Sequence, residues 1–333
     1  MTSKELARIL NLSEAAVSFA LNGKPGVSTR TRNRVKEAAM KYGLDVSSME
    51  SARKKGGVIC LVYYQRKGFL LPVLPFSNEV TEGVENACET AGFQLRILHV
   101  NSPENLQLQL EELANIRIAG MLIFGTDMSQ EDLLPLSSIR IPTVLLDNHC
   151  IASGIDSVAI NNSDGAYVAA DYLMKKRPGV CPGYLQSSFS ISNFEDRRLG
   201  FEKALVHNGF SRAAYIRHTV ASSIEGACAD IKRILQDKDP LATAYFADND
   251  MIAIGAMRAF QEAGYRIPED ISIIGFDDID LCNFTRPGLT TIHVPKKYMG
   301  KVAAERLLSV IDGRDYYPVN IQISAHLIQR GSV

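Results

Sequence analysis

Residues 1–43, MTSKELARILNLSEAAVSFALNGKPGVSTRTRNRVKEAAMKYG, contain two short helical patterns joined by the turn Asn11-Leu12-Ser13, and then a third. Ser3 and Ser13 are placed to cap the first two helices, because a serine hydroxyl accepts a hydrogen bond from an unpaired N–H of the first turn. The apolar spacing predicts one small core shared by two crossing helices, formed by Leu6, Ile9, Leu10, Leu12, Val17 and Leu21. This pattern predicts a helix-turn-helix, whose second helix enters a DNA major groove. An ordinary helical hairpin is the structural alternative.

A third predicted helix, from Ser28 to Gly43, and the charge distribution both favour DNA binding over a plain hairpin. The outer face of this helix carries several arginines, which suit contacts with phosphate groups. Residues 1–56 contain 11 Lys and Arg against 5 Asp and Glu, a net charge of +6, whereas the rest of the chain carries −7. A basic segment at one end of an acidic chain indicates nucleic-acid binding at that end.

The composition restricts the class of protein. The 333 residues are 46% hydrophobic and contain no run of about 18 apolar residues, the length that a membrane helix needs. A polar helix pattern stands where a signal peptide would have an apolar segment, so we expect a cytoplasmic protein without a membrane partner. The six cysteines form no CxxC pair and the six histidines are dispersed. We therefore expect reduced thiols, no metal site and no cofactor.

Residues 58–333 alternate between apolar strand patterns and amphipathic helix patterns. Strands that are apolar throughout are typical of parallel sheets covered by helices on both faces. About ten strands are predicted, more than one sheet of the usual size holds, so we expect two lobes with a ligand cleft between them. One long strand is predicted at 319–329, VNIQISAHLIQ.

Four stretches together resemble the lactose-repressor (LacI/GalR) family of bacterial transcription regulators. They are LNLSEAAVSFALNGKPGVSTRTRNRVKEAA at 10–39, LPFSNEVTEGVENACETAGF at 74–93, ADNDMIAIGAMRAFQEAGYRIPEDISIIGFDDID at 247–280 and LTTIHVPKKYMGKVAAERLL at 289–308. The resemblance implies an all-α helix-turn-helix head plus an α/β periplasmic-binding-protein-like body of two parallel-sheet lobes. It implies a DNA-binding head at 1–45, a hinge at 46–57 and an effector-binding and dimerisation domain at 58–333. One lobe is expected at about 58–159 and 295–321, the other at about 160–294 and 322–333.

By this resemblance, base edges of the operator are contacted from the second helix, by Glu14, Ala15 and Phe19. The family commonly has Arg at the position of Phe19, and a Phe side chain cannot make the bidentate guanine contact of Arg. We therefore expect an unusual operator; partial burial inside the head is the alternative for Phe19. Contacts to the DNA backbone are expected from Ser13, Ser18, Asn22, Ser28 and Thr31, with Arg32 facing the phosphates.

The resemblance also implies a hinge that becomes helical on operator DNA and inserts a Leu into the minor groove. Here Val46 replaces the usual Pro, and Arg53 aligns with the usual Leu. An Arg enters a narrow minor groove through its charge but is a poor apolar wedge, and Met49 is the nearest apolar candidate. We predict DNA contacts from Met49 and Arg53; a flexible basic tether is the alternative.

Effector contacts are implied at the carboxyl ends of the strands in both lobes, the usual crevice of open α/β sheets. The predicted residues are Tyr63, Phe76, Asp147, Arg197, Asn249, Asp250 and Asp277. An arginine among carboxylates suits a ligand that shares its hydrogen bonds, such as a sugar. The structural alternatives are a bridging role for Arg197, a helix cap for Asp250 and a loop cap for Asp278.

From the resemblance we expect a homodimeric repressor that binds double-stranded, pseudo-palindromic operator DNA and a small effector. A sugar or sugar derivative is favoured and a nucleobase stays open. No catalytic residue is predicted, because the chain lacks a GxGxxG after the first strand, a GKS/T loop and a GxSxG elbow. A free-standing solute receptor and a carbohydrate-acting enzyme are the alternatives. No Leu heptads follow the last strand, so a dimer is expected rather than a tetramer.

Overall fold

The computed structural model describes residues 3–21, 27, 31, 34–35, 38–39, 57–65, 74–102, 105–106, 108–109, 118–133, 136, 141–149, 154–313 and 317–333. The chain divides into two compact units, Met1–Gly57 with Cys88–Gln94 and Val58–Ala87 with Leu95–Val333. The helices are α1 Ser3–Leu10, α2 Glu14–Leu21, α3 Leu74–Thr90, α4 Gln130–Leu133, α5 Asn162–Lys176, α6 Ser192–His207, α7 Ile224–Asp237, α8 Asp250–Glu262 and α9 Lys296–Ile311. The strands are β1 Val58–Tyr64, β2 Gln94–Val100, β3 Gly120–Phe124, β4 Thr143–Leu146, β5 Asp156–Ile160, β6 Pro182–Ser187, β7 Ile216–Val220, β8 Ala244–Ala247, β9 Ser272–Ile274, β10 Thr291–His293, β11 Asn320–Ile323 and β12 His326–Ile328. Within the described ranges, no helix has the length and apolar character needed to cross a bilayer.

Helices α1 and α2 form the predicted helix pair of the first unit. Ser13 Oγ accepts a hydrogen bond from the backbone N–H of Ala16 at 3.1 Å, which confirms the predicted cap. The small core of this unit contains Leu6, Ala7, Val17, Ala20, Val35, Ala38 and Ala39. The prediction for Ile9 was wrong, because its side chain is 50% exposed. Positions 6, 7 and 10 define the inward stripe, and Ile9 lies about 100° around the helix from the centre of that stripe.

A six-stranded sheet is the centre of what we call the first lobe, formed by β1–β5 and β11 with α3, α4 and α9. Its strand order is β11-β5-β4-β3-β1-β2. The pairs β1/β3, β3/β4, β4/β5 and β5/β11 are parallel. All side chains of β3 and β4 are buried, and α9 packs on β3, β4 and β5. The apolar strand patterns therefore predicted buried parallel strands correctly for β1, β3, β4 and β5. The prediction was wrong for the edge strands β2 and β11, most of whose side chains are not buried.

The second lobe consists of β6–β9 and α5–α8. Its four strands are all parallel in the order β7-β6-β8-β9. Polar side chains fix where its helices begin, since the side-chain oxygens of Asn161, Ser223 and Asn249 each accept a backbone N–H of the first turn of α5, α7 and α8. These caps place the amino ends of the helices beside the carboxyl ends of the strands.

The single strand predicted at 319–329 is divided between two sheets. β11 pairs with β5 in the six-stranded sheet, whereas β12 pairs antiparallel with β10 in a separate two-stranded sheet. Ser324 and Ala325 lie between them outside both strands. The alternating apolar and polar residues of this stretch do not show such a change of sheet, because each half has the strand pattern that its own partner requires. The lobe boundaries given above stay a prediction.

Close packing of α5 against α6 depends on Gly200. A Cβ atom at this position would lie 2.0 Å from the backbone oxygen of Ser163. Gly200→Ala should therefore force the helices apart and lower the free energy of unfolding by about 1–3 kcal/mol, measured by urea denaturation. Lys203→Ala, at an exposed position of the same helix, is the control and should change stability by less than about 0.5 kcal/mol. Equal effects of the two changes would contradict the close approach.

Candidate functional site

The body contains a cavity of about 650 Å³. Elements of both lobes line it, chiefly segments that follow strands and the first turns of α3 and α6. Six of the seven predicted effector residues contribute to its wall: Tyr63, Phe76, Asp147, Arg197, Asn249 and Asp277. The size is within the usual range for small-molecule sites.

Arg197, on α6, is held by groups from three other segments. Its Nε donates to Asn162 Oδ1 at 2.9 Å, Nη1 donates to the backbone oxygen of Asp248 at 2.5 Å, and Nη2 donates to Asp277 Oδ1 at 3.0 Å. The guanidinium carbon lies 3.7 Å from the centroid of the Phe276 ring. The side chain is therefore fixed in the cavity wall before any ligand binds. The bridging role kept open for Arg197 is present in this geometry.

Asp277 follows β9 in an unusual backbone conformation, with φ of 112°. Its N–H donates to the backbone oxygen of Ile292 at 2.9 Å, which holds the carboxylate beside Arg197. Burial raises the pKa of Asp277, while the positive charges of Arg197 and Lys296 act in the opposite direction. A strained residue that carries a partly buried carboxylate is a feature of ligand sites.

Asp147 follows β4 and is 2% exposed, also with a positive φ, of 60°. Its Oδ2 accepts a hydrogen bond from Thr126 Oγ1 at 2.6 Å. Its Oδ1 is buried and has no hydrogen-bond partner among the described residues. Burial raises the pKa of Asp147 to about 7, although the Thr126 hydrogen bond and the charge of Arg197 lower it. Because this oxygen is itself buried, a ligand donor reaches it only when the Asp147 carboxylate turns towards the cavity. Asn193 also lowers the pKa of this carboxyl.

Asn249 and Asp250 have different surroundings. Asn249 lines the cavity and caps α8, because its Oδ1 accepts from the N–H of Ile252 at 2.9 Å. Asp250 is fully buried and is not part of the cavity wall. Its two carboxylate oxygens accept from Ile279 N at 3.0 Å and from Thr291 Oγ1 at 2.5 Å. Asn249 is therefore the cap of α8. Asp250 connects α8 to Ile279 after β9 and to Thr291 of β10.

Asp278 does not line the cavity. Its Oδ1 accepts from Arg330 Nη2 at 2.8 Å, and its Oδ2 lies 2.8 Å from His293 Nδ1. Both neighbours help to lower the pKa of Asp278, whereas its partial burial acts in the opposite direction. These contacts give Asp278 a structural role, in line with the loop-cap alternative.

Aromatic side chains form much of the first-lobe wall. The Tyr63 ring stacks on His99 at a centroid distance of 5.4 Å and packs at a tilt against Phe124 at 5.2 Å. Phe76 meets the edge of Phe124 at 6.3 Å. The Tyr63 hydroxyl is engaged with Thr81 Oγ1 and with the backbone oxygen of Ser77. These rings share the first-lobe wall with polar side chains, since Gln65, Asn78 and Asp127 also line the cavity.

Several lining residues escaped the sequence prediction, among them His99, Phe124, Thr126, Asn193 and Phe194. Phe124 and Thr126 lie at and just after the end of β3, the position that selected Asp147 after β4. That rule would have found them. Asn193 and Phe194 precede Arg197 by about one helical turn, so the same helix face would have identified them.

The DNA-binding predictions fall largely outside the described residues. Glu14 is exposed at the start of α2, Ser13 caps that helix, and Thr31 is half-buried. The side chains of Ala15, Ser18 and Phe19 lie outside the description, as do residues Asn22, Ser28, Arg32, Met49 and Arg53. Among the parts of the chain that the structure describes, no group of three His, Cys, Asp or Glu side chains is placed to hold a metal ion.

Comparison with known proteins relates the whole chain, including both units, to transcriptional repressors. A family model described as a periplasmic binding protein-like domain matches residues 183–333. The chain is 31% identical over 348 residues to the HTH-type transcriptional repressor PurR of Haemophilus influenzae (strain PittEE), covering 100% of this chain and 98% of that one. A LacI family transcriptional regulator of Enterococcus faecium with bound ribose is 26% identical, with a TM-score of 0.69 over 83% of this chain and 98% of that structure. The lac repressor dimer bound to operator and the anti-inducer ONPF shares the fold, with 22% identity and a TM-score of 0.73 over 100% of this chain and 98% of its own.

Proposed function

This chain belongs to the LacI/GalR family of transcription regulators, and from that premise we propose that it is a ligand-responsive repressor. Two copies bind a pseudo-palindromic operator, and a small sugar-like effector binds in the cavity of the body. The observation on which this proposal rests is the geometry of the cavity wall. Arg197 is held in place and pairs with Asp277, and Asp147, whose Oδ1 has no hydrogen-bond partner, belongs to the same wall. The similar proteins are transcriptional repressors rather than enzymes, so the carbohydrate-acting enzyme is set aside. The same relatives disfavour a free-standing solute receptor, and a repressor acts in the cytoplasm with its DNA.

A polyhydroxylated effector suits the polar part of this wall. The carboxylates of Asp147 and Asp277 accept hydrogen bonds. The side-chain amides of Asn193 and Asn249 each contain one N–H donor group and one oxygen acceptor. Sugar hydroxyls both donate and accept, so they match such a mixed set, whereas a nucleobase presents its hydrogen-bonding groups only at its edges. The Enterococcus faecium regulator similar to this chain holds ribose, which agrees with a sugar-like effector.

The effector class is tested by thermal shift of the full-length chain with sugars, polyols, sugar phosphates and nucleobases. A ligand at one hundred times its Kd adds about 2.7 kcal/mol of stability. Hits are then added to a complex with operator DNA, where the regulator mechanism requires a change in operator affinity. Because the coupling is reciprocal, operator DNA should change the affinity for the hit by the same factor. Asn193→Ala should weaken a true hit, and Lys203→Ala is the matched control outside the cavity. Stabilisation by nucleobases alone would replace the sugar proposal, and a hit without effect on operator affinity would contradict the regulator mechanism.

The base sequence of the operator depends on the residues that the DNA-binding head presents to it. We propose that Glu14, Ala15 and Phe19 read base edges and that Phe19 contacts a thymine methyl group where relatives read guanine. Half-sites then lie about 10–10.5 base pairs apart. Selection from random DNA should return a site with this spacing, and Phe19→Arg should shift the preference at one position of each half-site towards guanine. An unchanged preference would place Phe19 inside the head core. We also propose that Met49 and Arg53 of the hinge contact DNA, and that the head, hinge and body span residues 1–45, 46–57 and 58–333.

An exposed apolar pair offers a surface for the second copy. Leu281 and Phe284, on and beside a short 3-10 helix after β9, are 46% and 75% exposed. Phe284→Glu should convert the dimer to monomers in sedimentation experiments, because a charge in an apolar interface stays unpaired. Val206→Glu, at a residue that is 56% exposed on α6, is the control and should leave the dimer intact. A dimer that tolerates Phe284→Glu would assign the interface to another surface.

A further inference from the structure

We infer that Lys296 couples the cavity to the first lobe, because this buried cation connects segment 277–279, which follows β9 of the second lobe, to α3 and α9. Asp277 and Ile279 of this segment line the cavity. Lys296 is the first residue of α9, which packs on β3, β4 and β5 of the first lobe. The inference rests on the proposed function, since coupling requires an effector that binds in the cavity.

The backbone conformation of segment 277–279 depends on its surroundings. Asp277 and Asp278 have φ values of 112° and 52°, which residues other than glycine rarely adopt. Such conformations persist where neighbouring groups fix them, and they cluster in ligand sites and switch regions. Arg197 of the second lobe pairs with Asp277. From the first lobe, Lys296 Nζ donates to the backbone oxygen of Asp278 at 3.2 Å.

The Lys296 ammonium group also has a partner within the first lobe. Its Nζ lies 3.4 Å from Glu79 Oε1 of α3, and the two side chains are 2% and 43% exposed. A buried ammonium group is costly to desolvate, and contacts of this length compensate only part of that cost. Burial raises the pKa of Asp277, whereas the charges of Arg197 and Lys296 lower it. Lys296 therefore acts on the cavity as a positioning residue more than it stabilises the fold.

Helices α3 and α9 give Lys296 a rigid base. A Cβ atom at Gly83 of α3 would lie 2.0 Å from the backbone oxygen of Lys297, so the two helices approach closely beside Lys296. Close-packed interiors transmit a displacement rather than absorb it. The first strand of this lobe, β1, follows the proposed hinge directly in the sequence. A ligand that moves segment 277–279 therefore pulls, through Lys296, on the lobe that continues into the hinge.

Hydrogen exchange of the full-length protein tests the link without a ligand. Lys296→Met removes the charge and keeps an apolar chain, and Lys297→Met is the matched control, because Lys297 pairs with Glu82 of the same helix α3 but is 57% exposed. The amides of Asp277 and Ile279 are hydrogen-bonded in the wild type. Lys296→Met should exchange them about tenfold faster, and Lys297→Met should leave them unchanged. Wild-type exchange rates in Lys296→Met would overturn the inference.

The coupling itself is measured as the ratio of Kd values for a probe with and without operator DNA. Ribose is the first probe, and the other sugars, polyols, sugar phosphates and nucleobases of the thermal-shift screen follow. For a probe that acts on the wild type, Lys296→Met should bring this ratio towards one by up to about tenfold, in a protein that still unfolds cooperatively in urea. Glu79→Gln removes the same link from its exposed end and should act in the same direction, so it decides the question if Lys296→Met does not fold.

The remaining outcomes separate this inference from the proposed function. A wild-type ratio in both Lys296→Met and Glu79→Gln would overturn the coupling role and leave effector and operator as proposed. An equal fall in Lys297→Met would show a general effect of losing a lysine and would overturn it as well. If no probe changes the operator affinity of the wild type, the proposed function is wrong, and the coupling role of Lys296 is overturned with it even where exchange at 277–279 is faster.

Discussion

Replacing Arg197 with Ala should abolish the effector response and lower the free energy of unfolding of the body by about 3–5 kcal/mol. The wild-type side chain is 3% exposed and pairs with Asp277, with the Asn162 amide oxygen and with the Asp248 backbone oxygen. Its removal leaves the partly buried Asp277 carboxylate and two acceptors without this partner. The loss of positive charge also removes an interaction that keeps the pKa values of Asp147 and Asp277 from rising further. Operator binding should survive, because the head has its own core.

The neighbouring arginine provides a matched control. Arg198 pairs with Glu195 and Glu202 on the same helix, and its side chain is 26% exposed. Arg198→Ala should cost about 1 kcal/mol or less and keep the response. Arg197→Lys keeps the charge, but its N–H donors are all on one atom and cannot reach the three acceptors that Nε, Nη1 and Nη2 contact, so it should fold better than the Ala variant and still fail to respond. Urea denaturation and operator titrations with effector measure the two effects. An Arg197→Ala protein that still responds would show that the cavity is not the effector site.

The sequence predicts the positions of the cavity residues better than their partners. Asp147 and Asp277 were found because both follow apolar strands, and parallel strands end at the same edge of a sheet. Asn162 and the backbone oxygen of Asp248 approach Arg197 only after the second lobe has folded, and no local pattern marks them. The sequence also does not decide between Asn249 and Asp250 as the cap of α8, for a similar reason. Both residues suit a helix start, and the hydrogen bond of Asp250 to Thr291, 41 residues away, decides between them.

In the fold as well, features set by neighbouring residues could be predicted, whereas features set by residues far away in the sequence could not. Buried parallel strands follow from their uniform apolar composition, and the Ser13 cap follows from local chemistry. The break between β11 and β12 follows from pairing with β5 and β10, strands far away in sequence. Ile9 was misplaced because the three large apolar residues of α1, Leu6, Ile9 and Leu10, allow more than one inward stripe on a helix of eight residues.

Effector affinity should fall as the pH drops below about 7, because binding favours the ionised form of Asp147. In the free protein burial raises the pKa of this carboxyl to about 7. A ligand hydroxyl that donates to the unpaired Oδ1 stabilises the carboxylate and lowers the pKa in the complex. Between these two pKa values each bound ligand releases close to one proton, so affinity falls by up to tenfold per pH unit on acidification and is constant above about 7. Arg197 and Asp277 face the same group; Asp277 also has a raised pKa but is paired with Arg197.

Calorimetry in two buffers of different ionisation enthalpy measures the released proton directly, and Asp147→Asn isolates its source. The amide keeps the shape and removes the titration, so binding should weaken and proton release should disappear between pH 5.5 and 8. Asp171→Asn, on α5 outside the cavity wall, should retain the wild-type pH dependence. Asp248 also has a pKa raised by burial to about 7, but its carboxylate accepts from Tyr184 and Ser187 rather than lining the cavity. Proton release that persists in Asp147→Asn would transfer the linkage to Asp277 or Asp248. Affinity that rises on acidification would show that the protonated carboxyl donates to the ligand, and so would reverse the assigned direction of this hydrogen bond.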